Sequence, residues 1–312
     1  VDMAEKAHDT VPATVANRSL AVSLMYNGQF KRAQHHFDRA LELFDPILHN
    51  DLAQKYGQDL GVANHGLISY NLAILGETQR GMKLIHECER YAEACEDITS
   101  KCYMHMCAAF YHYVLQDFSE MGRHTKSLAD LANQYNLSFF GDLAAMQKSL
   151  LKLSSGDRTG LAELQEIDNS LITANIWGLL PVLRTGAGYS VLALGLKDEA
   201  LQLANSAQSL IAQTGEELSL SDLHRLHAAL AKANGDNLAA EKHLHTALDV
   251  ACKQGGKLLE LRAAINLARL MQEQERTDEA IAILKPVSDS IAEGDCPDDQ
   301  AKAKELLNVL IG

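Results

Sequence analysis

Residues 228–251 read AALAKANGDNLAAEKHLHTALDVA, and the order of these residues decides the fold. A helical run carrying the small residue Ala228 ends seven residues later at Gly235, a turn former. A second run then places Ala240, Leu244, Ala247, Leu248 and Ala251 at steps of three and four, which makes one buried helical face. Two helices joined by a glycine turn follow from this stretch alone. The same pattern recurs along the chain, with turn landmarks at Gly28, Gly76, Gln116, Gly156, Gly195, Gly235 and Glu275, spaced by 48, 40, 40, 39, 40 and 40 residues. Seven residues before each landmark sits a small residue: Ala21, Ser69, Ala109, Ser149, Gly188, Ala228 and Ala268. A short side chain at that point lets two helix backbones cross closely.

The second helix of the first repeat shows Ala33, Phe37, Ala40, Leu41 and Phe44, and that of the seventh Ala280, Leu284, Val287 and Ile291. A small residue on the first helix followed by Ala-x3-Phe on the second resembles the tetratricopeptide repeat, whose own period is about 34 residues. The extra residues lengthen helices or turns. A HEAT-like hairpin has about the right period but leaves the small residues unexplained, so it ranks second. The expected fold is an all-α tetratricopeptide-like solenoid of about seven hairpins plus a C-terminal capping helix, as a single superhelical domain over 1–312. The excess in the first interval lies in an insertion at 45–58. The turn-rich Ser154–Gly160, followed by Gln165 and Asp168 at stripe positions, marks a bend near 154–160 or a shortened second helix. Lys302 to Leu310 form the last helix, and Thr214 to Glu217 read as a capping box.

Composition narrows the function. Lys and Arg total 28 against 41 Asp and Glu, a net charge of -13, which argues against general nucleic-acid binding or anionic membranes. No apolar run is long enough to span a bilayer, and Val1–Lys6 lacks a signal-peptide core, so a soluble, cytoplasmic chain is expected. Six cysteines in 312 residues do not form a disulfide framework. The missing initiator Met, with a repeat under way by Val11, suggests a piece of a longer protein.

Thirteen histidines invite a metal reading. Cys102, His105 and Cys107 share a helix, with His86, Cys88 and Cys95 on the one before. Cys102 and Cys107 stand about 140° apart around that helix and cannot close on one ion. His35-His36, His224 with His227, and His243 with His245 read as solvated or seam residues, so no metal and no cofactor is expected. Gly186-Ala187-Gly188-Tyr189 lies inside a helical pattern without a preceding strand and is not a phosphate loop. No GxSxG, HExxH or DxDxDG pattern occurs, and the acidic pairs Glu216-Glu217 and Asp298-Asp299 sit at expected helix starts. Catalytic residues are therefore expected to be none.

In tetratricopeptide arrays the first helices line the concave face. The match at the small residue carries this to Arg18, Val22 and Met25, to Tyr70 and Ala73, to Tyr103, Met106, Phe110 and Tyr113, to Met146, Leu150 and Tyr189, and to Arg225, Arg262 and Arg269. Aromatic and Met side chains flanked by Arg suit a protein or peptide segment with apolar anchors and acidic residues. The competing reading is that half of these residues pack against adjacent first helices.

Two stretches resemble one bacterial group. Tyr56-Gly57-Gln58-Asp59-Leu60-Gly61-Val62 is one; the other runs from Glu260-Leu261-Arg262-Ala263-Ala264 through Leu267-Ala268-Arg269-Leu270 to Ile283-Leu284-Lys285-Pro286-Val287. They are similar to the C-terminal repeat region of multidomain adenylate or guanylate cyclases with a central predicted ATPase. Winged-helix regulators of related architecture share it, and Ser221–Leu226 fits the same pattern. Leu60 stands where that family has proline. The resemblance implies a non-catalytic regulatory module that binds a partner, including the protein's own N-terminal domains, and controls an upstream ATPase, cyclase or transcriptional output. An oligomerisation scaffold is the alternative, and an unrecognised enzyme the third reading.

Overall fold

The computed structural model describes residues 10–49, 53–173 and 178–312. Residues 50–52 of the insertion at 45–58 and the N-terminal Val1–Lys6 lie outside the described residues. Fifteen helices and one single helical turn, Ala53–Tyr56, make up the regular structure among them, with no strand. The helices are α1 Thr10–Tyr26, α2 Phe30–Leu43, α3 Leu60–Leu75, α4 Thr78–Ala94, α5 Ile98–Val114, α6 Phe118–Gln134, α7 Ser138–Ser154 and α8 Thr159–Thr173. They continue as α9 Leu180–Ala193, α10 Lys197–Thr214, α11 Leu220–Ala233, α12 Asn237–Gln254, α13 Lys257–Glu273, α14 Thr277–Asp289 and α15 Pro297–Ile311. Odd and even helices alternate as the first and second members of seven hairpins, and α15 follows the seventh.

Every expected turn landmark has a positive φ: Gly28, Gly76, Gln116, Gly156, Gly195, Gly235 and Glu275 lie between 61° and 93°. At six of them the next residue's N–H reaches the carbonyl five residues back, as in Asp117 to His112 and Asp236 to Ala231 at 2.9 and 3.0 Å. This closure satisfies helix-end carbonyls and needs a left-handed residue, which explains the glycines. Gln116 and Glu275 adopt that backbone despite a Cβ, at a cost of about 1 kcal/mol each.

The seven small residues are buried. In the second hairpin a Cβ on Gly81 of α4 would lie 3.1 Å from the Ser69 carbonyl of α3, a close crossing within the pair. Gly188 differs from expectation. A Cβ there would lie 2.5 Å from Leu226, so its tight contact is with α11, the first helix of the next hairpin, rather than with its own partner.

Contacts divide the expected single domain into two compact units, residues 1–73 with 78–151 and residues 74–77 with 152–312. In the fourth repeat Gln165 stays exposed, while Asp168 accepts from Arg184 of α9, with Nε to Oδ1 at 3.1 Å, so a stripe position that lacks an apolar residue holds an ion pair. The last helix starts at Pro297, earlier than Lys302, because Pro fits the first helical position and Asp298 and Asp299 favour the first turn. The capping box at Thr214 to Glu217 is not formed. Thr214 ends α10, Gly215 turns the chain at φ 72°, and α11 begins only at Leu220.

Candidate binding face and histidine cluster

First-helix residues of the first unit are more deeply packed than a groove requires. Arg18, Tyr70, Met106, Phe110 and Met146 are all buried, and the Tyr70 and Phe110 rings meet edge to face at 6.5 Å. The Tyr70–Phe110 contact joins the first helices of the second and third hairpins. Tyr103 and Tyr113 remain half-buried. Burial pushes the Tyr103 phenol well above its usual value, opposed by the charge of Arg18. Arg18 is the exception among the packed residues. Its Nη1 is buried with no hydrogen-bond partner, and desolvation lowers its pKa, with Tyr103 and Cys107 of α5 opposing that shift.

In the second unit Arg262 is buried in an ion pair with Asp299 of α15, Nη2 to Oδ2 at 2.8 Å, and so is structural. Tyr189 and Arg225 are half-buried and engaged with each other: the guanidinium stands 5.7 Å from the ring centroid. The Tyr189 hydroxyl donates to the Asp222 carbonyl at 2.9 Å, and Arg225 also pairs with the Asp222 carboxylate. Arg269 is exposed.

The histidines are more ordered than the sequence suggested. Asn17 with His36, His105 with His124, and His224 with His243 occupy the same two positions, eleven residues before and eight after their turn landmarks, and each pair meets across its own hairpin at 2.9, 3.0 and 3.4 Å. Around His105 the cluster grows. His112 near the end of α5 stacks on His124 of α6, with ring centroids 5.7 Å apart. Ligand atoms of His112, Glu120 and His124 all lie within 4.8 Å of one another. Arg123 donates to His124 Nε2 at 2.8 Å and to Glu120 Oε2 at 2.7 Å, and approaches Glu89 Oε1 of α4 at 3.5 Å. Since Nε2 of His124 accepts, its Nδ1 carries the proton and donates to Nδ1 of His105. Burial, reinforced by Arg123, lowers His105 to about 4 and His124 to about 3.

Sequence reasoning missed this cluster because it sought ligands along one helix or on Cys-bearing neighbours. The signal lies across the turn: His112, Glu120 and His124 sit at −4, +4 and +8 from Gln116, positions that a hairpin folds onto one another. Cys102 and Cys107 of the Cys-containing set are buried in the core. Burial raises Cys102 to about 11 and Cys107 to about 12, which keeps both thiols protonated.

No family model and no curated protein matches the chain. Among solved structures, the crystal structure of yeast Tom70, a tetratricopeptide-containing protein, is similar with a TM-score of 0.55 at 14% identity. The alignment covers 96% of this chain and 64% of that one, so the chain spans less than two thirds of that neighbour. The class is thereby defined: an all-helical, tetratricopeptide-like repeat fold. No helix among the described residues is long and apolar enough to cross a membrane.

Proposed function

We propose that the chain is a non-catalytic interaction module that takes an acidic protein or peptide segment on its first-helix face. In a longer cytoplasmic protein it would restrain or release an upstream ATPase, cyclase or transcriptional output domain, as the resemblance in the sequence implies. The observation that carries the reading is Arg18: a buried guanidinium whose Nη1 lacks an acceptor, felt electrostatically at Tyr103. A buried guanidinium N–H without an acceptor costs stability, and a carboxylate brought by a partner removes that cost. The half-buried Tyr103 and Tyr113 supply amphipathic contact area on the same unit.

A displayed peptide library selected on the immobilised chain tests this. Peptides with an acidic residue beside apolar anchors are expected to be enriched. Arg18→Met should raise the stability of the free chain while weakening those peptides about tenfold or more. No enrichment, or enrichment untouched by Arg18→Met, would overturn the reading and favour the scaffold alternative.

A further inference from the structure

We propose that His112, Glu120 and His124 form a binding site for one divalent transition ion, zinc being the reference case, which clamps α5 to α6 across the third turn. Two imidazoles and a carboxylate are a zinc donor set, and their ligand atoms already lie within 4.8 Å of one another. The histidines are prepared for it. Nδ1 of His124 is engaged by His105 at 3.0 Å, which leaves the Nε2 lone pair for a cation, the outer-sphere arrangement typical of metal-bound histidine. His112 is buried, and its Nδ1 stands 3.4 Å from the Asp117 carboxylate, a long contact that an ion can replace.

A cation already occupies this seat. The Arg123 guanidinium bonds to His124 Nε2 and Glu120 Oε2 and stands near Glu89. Its side chain is 53% exposed, so it can swing into solvent and give up its place. Glu89 Oε1, 3.6 Å from His124 Nε2, is then positioned to become a fourth ligand and tie α4 to the same ion. The ion would rigidify the third hairpin, whose first helix carries Tyr103 and Tyr113.

Zinc alone is the probe, titrated calorimetrically into chelator-treated protein, with cobalt as a spectroscopic substitute. One ion per chain with a tetrahedral cobalt spectrum is expected. Glu120→Gln, at a half-exposed position that the Asp117 cap does not need, should weaken binding about tenfold or more with the circular dichroism unchanged. Arg123→Gln should tighten binding, because it removes the competing cation. No zinc uptake at micromolar concentration, equal affinity of Glu120→Gln and the parent, or weaker binding by Arg123→Gln would each overturn the proposal.

Discussion

The third and sixth hairpins are the same device built twice, 119 residues apart. His105 and His124 correspond to His224 and His243, the Asp117 cap to Asp236, Ala109 to Ala228, and Ser100 to Ser219. Both caps bond the N–H three residues on, at 3.1 and 2.9 Å, and both histidine pairs meet across the turn. The differences are local. Where the third hairpin has His112 and Glu120, the sixth has Ala231 and Ala239, and Arg123 becomes Lys242. One scaffold thus carries a cluster of metal-binding groups in one copy and only a histidine stack in the other. The repeat supplies positions and backbone turns; chemistry is added by substituting two or three of them.

The largest effect follows from transplanting the difference. Ala231→His with Ala239→Glu should give the chain a second zinc equivalent, seen as a stoichiometry of two in the same titration. A stoichiometry unchanged from the parent would mean that the two hairpins are less alike than their turns suggest.

Next in size is overpacking at the shared small position. Ala109→Leu and Ala228→Leu should each cost about 1 to 3 kcal/mol in urea unfolding, because both alanines are buried at helix seams. A neutral result at either would separate the two copies.

The acid that opens each hairpin differs as well. Asp97 accepts from both the N–H and hydroxyl of Ser100 at 2.7 Å. Its counterpart Glu216 is buried, accepts from the Ser219 N–H at 3.2 Å, and leaves Oε2 without a partner. Burial raises Glu216 to about 7 from the ordinary 4.5. A raised carboxyl favours the protonated folded state, so its contribution is intact below pH 4.5 and is lost as pH rises through 7. Glu216→Gln should therefore stabilise the chain by about 1 to 3 kcal/mol at pH 8 and by little at pH 4.5. A gain independent of pH would mean the carboxyl titrates normally.

The smallest effect is at the turns. Gln116 holds φ 61° where Gly235 holds 79°. Gln116→Gly should gain and Gly235→Gln should lose about 1 kcal/mol in thermal unfolding, opposite signs from one shared backbone. Equal signs would break the correspondence.

The pattern of what sequence could reveal follows the same division. Turns were legible because each depends on residues within one hairpin, a left-handed landmark with a stripe after it; the small residue seven positions before was legible as a buried position, although at Gly188 the side chain it meets is Leu226 of the next hairpin. The burial of Phe110 and Arg262 was not legible because the Phe110 ring meets Tyr70 of α3 and Arg262 pairs with Asp299 of α15, both outside their own hairpins. Thr214 misled because a helix end and a helix start share the same residue types, and Gly215 was the better signal. The histidine cluster was hidden because its members approach only when positions are counted from the turn rather than along a helix.

Photo-crosslinking tests the binding claim most directly, with a reactive amino acid placed at Tyr103 on the first-helix face or at Tyr135, an exposed position just after α6, in protein expressed in cells. The account predicts that position 103 captures one recurring acidic segment, identified by mass spectrometry, and that position 135 does not. Scattered adducts of equal yield from both positions would contradict it.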